Sequence, residues 1–401
     1  MSNKIIFTLI NILYAISQWA IVVVIARGSL QDTGSYSYIL ALIMPVLMLS
    51  TLGLRNLLAI DEDENSFFSY LAIRVLSTIF SLILCLLIYQ MLGNNKVNLL
   101  LFIYVFAFKS SDLIFDIIYG KYQQLEKINI ISVSKLIRTI VVVSILITST
   151  ILTFDLDTMM FYLMLSSAIC LVLEFLILFK REKINTNINF KPSLIRAGCK
   201  LSSVLLLVML ISSMPKYYVE DKFGLIALGV FTFINQLVQS GNIIIQSVSF
   251  LYVKKISKLY KSNKIQAFKF FERILLSVLI ITIIPGIFIS FYFSEIANIV
   301  IDKEIVLTNY EKISIIFFAF FSYSQAMIGH FLTSVKIITV QPLIFISSIV
   351  FMVVTFSLFD LSFSGIYMVI GLSYMIVLIY YLYIRVNVKN ENLGSRKQAI
   401  L

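Results

Sequence analysis

The stretch FGLIALGVFTFINQLVQSGNIIIQSVSF, residues 223–250, is long and apolar enough to cross a bilayer as one helix. Polar residues recur along it at Thr232, Asn235, Gln239, Asn242, Gln246 and Ser249. With a turn of about 100° per residue, these side chains fall within an arc of roughly 100° on one face. Amides facing lipid are costly, so this stripe must face protein or water. It predicts the wall of a polar cavity, or else a set of interhelical hydrogen bonds.

The composition around this stretch is that of a polytopic membrane protein. The 401 residues are 60% hydrophobic and 13% charged, and the mean hydropathy is +0.97. A soluble domain carries about twice that charged fraction. Cys85, Cys170 and Cys199 have unrelated spacings, and His330 is the single histidine, so the sequence predicts no metal site and no cofactor.

Twelve hydrophobic spans can be drawn, each about 20 residues long. They lie near residues 5–26, 36–58, 70–91, 98–119, 130–152, 158–179, 200–219, 223–250, 272–293, 313–335, 338–359 and 363–384. The connections between them are short, which leaves no room for an extramembrane domain. The predicted fold class is therefore an all-α polytopic membrane protein with about 12 transmembrane helices.

The basic residues of the connections predict the orientation. Most of them lie in the predicted loops 180–200 and 254–273 and in the tail 385–397, all on the side of Lys4. By the positive-inside rule both termini are cytoplasmic. The loop after span six divides the chain into two six-helix lobes, 1–190 and 191–401. A faint repeat supports this division, because Arg27 precedes Gly34 much as Lys216 precedes Gly224.

Charged residues inside span four are the second candidate site. Lys109, Asp112 and Asp116 lie within about 60° on one helical face. Ionised groups at that depth are costly unless they are paired or hydrated. Two interpretations stay open: a Lys109–Asp112 ion pair at i,i+3, or a role in the cavity in which Asp112 and Asp116 are ion-coupling candidates. Glu174, near the inner boundary of span six, is expected to reach water.

Two further spans repeat the polar stripe more weakly. Span one carries Asn11, Tyr14 and Gln18 on one face, and span ten carries Gln325 among hydroxyl residues. Each set alone is typical of packing hydrogen bonds, and the three stripes together could enclose one cavity.

Several basic residues stand at the ends of spans. Arg27, Arg55 and Lys216 could be snorkelling anchors, or could form a cationic rim that suits a diphosphate. The sequence predicts a role in orientation alone for a second group, which is Arg74, Lys135 and Arg138. The chain carries no P-loop and no catalytic constellation, so no enzymatic activity is predicted.

Two segments carry a resemblance to a known family. Residues 17–65, SQWAIVVVIARGSLQDTGSYSYILALIMPVLMLSTLGLRNLLAIDEDEN, resemble the first two spans of O-antigen and capsular-polysaccharide repeat-unit flippases of the Wzx type. Residues 118–138, IYGKYQQLEKINIISVSKLIR, resemble the link between spans four and five of that family. These flippases form part of the multidrug/oligosaccharidyl-lipid/polysaccharide (MOP) exporter superfamily.

The resemblance implies two V-shaped lobes related by a pseudo-two-fold axis, working by alternating access in the bacterial inner membrane. The implied substrate is an oligosaccharide repeat unit on undecaprenyl diphosphate, with membrane lipid around its tail. H⁺ or Na⁺ would drive export, and polymerase and chain-length proteins of the pathway are candidate partners. The basic cavity positions of the family would match Arg27, Arg55, Lys109 and Lys216.

Three other functions stay open. A multidrug/cation antiporter of the same superfamily would share the fold. A polysaccharide polymerase would need larger outer loops, and a lipid II flippase would be expected to carry two further spans.

Overall fold

The computed structural model describes residues 2–59, 61, 67–181, 192–335, 337 and 340–398. All of the regular structure in these residues is helical. The described residues form thirteen α-helices, with a π-helical turn at Tyr89–Gly93 after the fourth. They are α1 Ser2–Gly28, α2 Leu30–Ser50, α3 Leu54–Ala59, α4 Phe67–Ile88, α5 Leu99–Gln124, α6 Ile128–Ile151, α7 Leu156–Arg181, α8 Pro192–Ser262, α9 Lys264–Phe291, α10 Phe293–Ile301, α11 Asn309–Ser334, α12 Gln341–Leu358 and α13 Phe363–Gln398.

The all-α membrane fold predicted from the sequence is confirmed. Ten helical segments among the described residues are long and apolar enough to cross a membrane. One of them, Ser202–Asn242, contains two spans, because Gly224 has a φ of 79° and interrupts the helix there. Helix α5 equals the others in length but carries the charged residues of span four. The ten segments give twelve spans when Ser202–Asn242 is counted as two and α5 is added.

Exposed apolar side chains on α4 show what surrounds the helices. Leu76, Ile79, Phe80, Ile83 and Leu87 are each more than half exposed. They recur every three or four residues, so they cover one face of the helix. A face of this kind is stable only against lipid or another protein.

The chain divides into two compact units, Met1–Phe233 and Ile234–Leu401. In the first, α1 packs on α6, α5 on α3 and α7, and α2 on α4. In the second, α11 packs on α9 and α13. The predicted lobe boundary at 190/191 lies outside the described residues.

One close helix contact changes the register of the predicted repeat. A Cβ atom on Gly34 would overlap the carbonyl oxygen of Leu225, and one on Gly229 would overlap that of Leu30. The pairs Leu30/Gly34 and Leu225/Gly229 therefore contact each other reciprocally, as two-fold-related surfaces do. In the repeat, Gly34 therefore corresponds to Gly229 and not to Gly224 as predicted. Gly34 and Gly229 each allow two backbones to approach closely, whereas Gly224 has a positive φ.

The predicted loop 254–273 is also corrected. Helix α8 runs on to Ser262 and α9 begins at Lys264, so Asn263 alone connects them. The Asn263 side chain accepts a hydrogen bond from the Gln266 backbone N–H and caps α9, which explains the short connection.

Candidate functional site in the N-terminal unit

The polar face of α1 meets charged residues of α5 and α6. Asn11, Tyr14 and Gln18 lie at successive turns of α1, and each bonds to at least one charged side chain from these helices. The result is a polar ladder of three rungs, which are Asn11–Lys135, Tyr14–Asp112–Arg138 and Gln18–Lys109. At about 1.5 Å per residue the outer rungs are separated by roughly 10 Å along α1.

The middle rung is an ion pair. Arg138 Nη2 bonds to Asp112 Oδ1, and the Tyr14 hydroxyl donates to the same oxygen at 2.9 Å. The Arg138 guanidinium lies 3.9 Å from the centre of the Phe115 ring. Its side chain is only 8% exposed, so pairing with Asp112 is what allows it to remain charged inside a span.

The outer rungs join lysines to neutral amides. Lys135 Nζ donates to Asn11 Oδ1 at 2.5 Å, and Lys109 Nζ donates to Gln18 Oε1 at 2.9 Å. An ammonium group has three N–H donors, and the structure shows one of them used in each case. These two lysines therefore differ from Arg138, because no carboxylate of the described residues lies at hydrogen-bond distance from them.

Asp116 forms a second charged contact on α5. Arg55 Nη1 donates to Asp116 Oδ1 at 3.0 Å, and Arg55 Nε donates to Gln123 Oε1 at 2.9 Å. Arg74 Nη2 lies 4.0 Å from Asp116 Oδ2. Arg74 is fully buried and its Nη1 donates to the Ser50 carbonyl at 2.8 Å. Asp116 thus connects α3, α4 and α5.

Positive charge exceeds negative charge in this region. Among the described residues that these contacts join, two aspartates face five basic residues. The charged members of this set are Arg55, Arg74, Lys109, Asp112, Asp116, Lys135 and Arg138. The side chains of Asp112 and Asp116 are 31% and 32% exposed. Because charges at this depth cannot face lipid cheaply, their open side requires water or a polar ligand. The arrangement is suited to an anion.

The structure corrects the predictions for four residues. Arg74, Lys135 and Arg138 are not orientation signals alone, because Arg74 and Arg138 contact Asp116 and Asp112, and Lys135 donates to Asn11 of α1. Arg138 stands ten residues, roughly 15 Å, after the start of α6. At this depth its side chain is too far from the helix end to snorkel to the membrane surface, which is the signal in the sequence for a partner inside the bundle. Glu174 does not reach water as expected, since it is only 6% exposed.

Of the two interpretations for span four, the local ion pair is not formed. Lys109 bonds to Gln18 and Asp112 pairs with Arg138, so both reach other helices. The role in ion coupling stays a prediction.

The rim candidates Arg27 and Lys216 lie apart from the ladder contacts. Arg27 lines an open cavity of about 430 Å³ together with Asp32 and the loop around Thr153. Lys216 is half-buried in α8, and no hydrogen bond or ion pair of its ammonium group is seen within the described residues.

The stripe on α8 is bonded locally in the part that the structure describes. Thr232 donates to the Leu228 carbonyl at 2.7 Å, and Asn242 donates to Gln239 Oε1 at 2.6 Å, both within the helix. Asn235 and Gln325 are half-buried, and the side chains of Gln246 and Ser249 lie outside the described residues. A hydrogen bond to another helix is made next to the stripe and not by it. The Tyr323 hydroxyl of α11 donates to the Val238 carbonyl at 2.9 Å.

The fold and the charged site together define a class: a multi-pass helical membrane protein with an anion-suited polar site inside one helix bundle. Comparison with solved structures gives the fold family. An inward-facing multidrug-resistance MATE transporter of the MOP superfamily matches with a TM-score of 0.67 and 13% identity, covering 94% of each chain. A MOP-superfamily transporter from Pyrococcus furiosus matches at 0.62 with 13% identity, over 96% of this chain and 95% of that one. The lipid II flippase MurJ matches at 0.61 with 14% identity, over 94% and 87%.

One curated relative adds a more specific likeness. The chain is 25% identical over 331 residues to the capsular polysaccharide biosynthesis protein CapF of Staphylococcus aureus, covering 80% of this chain and 82% of the relative. No family model matches the sequence. The resemblance seen in the sequence is thereby confirmed in the fold and in one relative named for capsular polysaccharide biosynthesis.

Proposed function

We propose that this protein is a flippase that moves an undecaprenyl-diphosphate-linked oligosaccharide repeat unit across the bacterial cytoplasmic membrane. The repeat unit would be a precursor of O-antigen, capsule or exopolysaccharide, carried from the inner to the outer leaflet. The observation that carries this proposal is the polar ladder, with its surplus of basic residues inside membrane spans.

The chemistry of such a substrate fits the two kinds of polar surface on this chain. A diphosphate needs cations and N–H donors, which Lys109, Lys135 and Arg55 supply. A sugar needs neutral donors and acceptors, which amides and hydroxyls supply without fixing a charge. The polyprenyl tail can stay in lipid while the headgroup crosses.

The comparisons support this proposal from two directions. The relative named for capsular polysaccharide biosynthesis suggests the pathway, and MurJ is described as a flippase for a lipid substrate with the same fold. Alternating access between the predicted lobes would carry the headgroup across. Polymerase and chain-length proteins of the pathway are the partners that this role implies.

The proposed substrate cavity keeps the residues predicted from the sequence and adds two from the structure. The predicted set is Asn11, Gln18, Arg27, Arg55, Lys109, Lys216, Asn235, Gln239, Asn242, Gln246 and Gln325. Lys135 and Arg138 join it because they complete the ladder.

An inward H⁺ or Na⁺ gradient is the proposed energy source, and Asp112 and Asp116 are the proposed coupling groups. Each is ion-paired and about a third exposed, so its pairing can change when a cation binds. Asp112→Asn and Asp116→Asn are expected to uncouple export from the gradient in proteoliposomes. Full gradient-dependent export by both variants would end this assignment.

A multidrug/cation antiporter is the second candidate, because the matching MATE transporters share the fold. The charge of the site argues against it. Five basic residues around two aspartates repel a cationic drug and attract a phosphate.

Deletion of the gene tests the function. Surface polysaccharide should disappear while lipid-linked repeat units accumulate on the cytoplasmic face, and a plasmid copy should restore export. Accumulation on the outer face would indicate a polymerase instead. Unchanged polysaccharide with altered drug sensitivity would favour the antiporter.

A further inference from the structure

The cavity that Arg27 lines lies where four helix ends meet. Helices α1 and α6 end beside it, and α2 and α7 begin beside it. Its volume of about 430 Å³ falls within the range of roughly 300–1,000 Å³ in which proteins bind small molecules. No residue of the polar ladder lines it. By the predicted orientation, these four helix ends lie at the outer side of the membrane.

Two charged side chains line this cavity, and they are not paired with each other. Arg27 stands at the end of α1 and Asp32 in the first turn of α2. Among the described residues, neither side chain makes a hydrogen bond or an ion pair. A guanidinium group carries five N–H donors, and a carboxylate accepts at both of its oxygens. The cavity therefore offers donors and acceptors to one ligand.

The charge around the cavity disfavours an anion. Asp155 and Asp157, just before and within the first turn of α7, add their negative charge to that of Asp32. Among the described residues at this place, these carboxylates outnumber the single guanidinium of Arg27, which reverses the balance of the polar ladder. The carboxylates of the described residues are not arranged as metal ligands, and a bare cation offers no acceptor to Arg27. A neutral ligand that both donates and accepts hydrogen bonds fits this cavity.

The turn after α6 supplies one wall of the cavity. Thr153 has a φ of 49°, and the Phe154 N–H donates to the Ser149 carbonyl at 3.0 Å, which closes the turn. Glycine is the usual residue at a left-handed position after a helix, and a β-branched residue there is strained. Thr153 therefore costs stability, and what it adds over glycine is a hydroxyl-bearing side chain that lines the cavity.

Phe154 gives the same wall an apolar surface. Its ring stacks on that of Tyr162, with 5.4 Å between the two centroids. A sugar ring has a face of C–H groups, which packs on an aromatic ring, and an edge of hydroxyl groups, which donate and accept hydrogen bonds. An aromatic ring beside Arg27, Asp32 and Thr153 therefore suits an uncharged sugar.

We propose that this cavity binds one uncharged pyranose residue of a sugar ligand. Asp32 accepts from adjacent hydroxyls, Arg27 and Thr153 bond to others, and Phe154 packs on the C–H face. This inference rests on the proposed function and deepens it, because the pyranose belongs to the headgroup of the transported lipid. Arg27 then contacts the sugar and not the diphosphate.

Saturation-transfer NMR of the full-length protein in lipid nanodiscs tests the site. The probes are glucose, galactose, N-acetylglucosamine and N-acetylgalactosamine, with glucuronate and glucose 6-phosphate as charged comparisons. At least one neutral sugar should bind, and the charged sugars should bind more weakly because of the carboxylates. Asp32→Asn and Arg27→Met should each weaken binding by about 10-fold or more, since each removes a hydrogen bond to a charged group. Binding of no neutral sugar would overturn the site.

The strained turn provides a variant that separates binding from folding. Thr153→Gly relieves the left-handed strain, so it should keep or raise the unfolding temperature. The same change should weaken sugar binding by about two- to tenfold, the range for one neutral hydrogen bond. A more stable protein with undiminished binding would remove Thr153 from the site.

A second pair of variants tests the cavity itself. Gly28 lines it, and a Cβ there meets no atom within 4 Å, so a larger side chain has open space to enter. Gly28→Phe should block sugar binding, whereas Gly28→Ala should not. Gln31→Ala, exposed beside Asp32, is the control and should bind as the parent does. Unchanged binding in both Gly28→Phe and Asp32→Asn would overturn the site.

Export assays separate this inference from the proposed function. Asp32→Asn and Thr153→Gly should lower surface polysaccharide at an unchanged level of membrane protein. Full export by variants that no longer bind sugar would overturn the link to the transported headgroup. A parent protein that binds no neutral sugar, in cells where deletion still abolishes export, would overturn the cavity site and leave the proposed function standing. Sugar binding by the parent, with unchanged polysaccharide after deletion, would do the reverse.

Discussion

Helices α1 and α8 carry amides at similar spacings but use them differently. In α1, Asn11 and Gln18 bond to lysines of other helices at 2.5 and 2.9 Å. In α8, Gln239 accepts from Asn242 one turn away, within the same helix. The same pattern therefore builds a network between helices in one case and a local contact in the other. An amide joins a network between helices when a neighbouring helix supplies a charged partner, and otherwise it bonds within its own helix.

The tertiary contacts of α8 come from other residues in its first half. Glu220 bonds to Lys96 of the loop before α5, and the Tyr217 hydroxyl donates to the Ala41 carbonyl at 2.5 Å. Gly229 contacts the Leu30 backbone closely. Close packing and the ion pairing to Lys96 position this part of α8.

The largest effect is expected from breaking the middle rung of the ladder. Arg138→Met leaves Asp112 without its cation, and Asp112→Asn leaves a nearly buried Arg138 unpaired. Each change should lower stability by about 3 kcal/mol, the low end of the range for breaking a buried pair, because Asp112 is partly exposed. Thermal unfolding of both single variants and the double variant gives the coupling energy.

Lys180→Met, at the exposed end of α7, is the control for that measurement and should leave the unfolding temperature unchanged. A coupling energy of zero between Arg138 and Asp112 would mean that the ladder does not stabilise the bundle.

The stripe on α8 should affect export without affecting folding. Asn235→Leu combined with Gln239→Leu is expected to abolish export while the protein still inserts, because the sugar loses its polar wall. Ser240→Leu, off the stripe on the same helix, is the control. Surface polysaccharide and membrane protein level are measured together, and normal export in the double variant would reduce the stripe to a packing feature.

A smaller loss of stability is expected at the close contact between α2 and α8. Gly34→Ala places a methyl group against the Leu225 carbonyl, which should cost about 1–3 kcal/mol through overpacking. Gly28→Ala is the matched control, since a Cβ there meets no atom within 4 Å. If the two alanine variants unfold at the same temperature, the close approach is not needed.

The smallest effect concerns pH and the Lys96–Glu220 pair. Burial alone would lower the pKa of Lys96, but the bond to Glu220 and the nearby Tyr38 and Asp221 raise it above its ordinary value of about 10.5. A raised lysine pKa contributes stability that is complete below the ordinary value and is lost as pH rises through the folded value. Thermal stability should therefore be flat from about pH 7 to 9 and should fall more steeply above pH 10.5 in the parent than in Lys96→Gln. Parallel curves for the two proteins above pH 10.5 would contradict this.

Much of the fold was predictable from local physical chemistry. Apolar runs of about 20 residues must form helices in a bilayer, because backbone N–H and C=O groups find no partners in lipid. Gly224 marked the break between spans seven and eight for a similarly local reason, since its φ of 79° suits glycine. The helical ends near Asn263 were less predictable, because a single capping residue there replaces a loop.

The candidate site was predictable in part. Asn11, Gln18, Lys109 and Asp112 were all identified from their depth and helical spacing. Their partners Lys135 and Arg138 are missed when they are assigned to orientation alone. The depth of Arg138 in α6 is a signal for a partner inside the bundle, but the sequence does not show which helix supplies it.

The sequence by itself determined a multi-pass helical membrane protein with polar stripes on spans one, eight and ten. Only the tertiary structure decided which charges neutralise one another. Helical periodicity follows from the covalent chain, so it is visible in the order of residues. Pairing joins Asp112 to a residue 26 positions away and Lys109 to one 91 positions away, and it depends on which helices pack side by side. That is why the two lysines without a carboxylate became visible only in the folded protein.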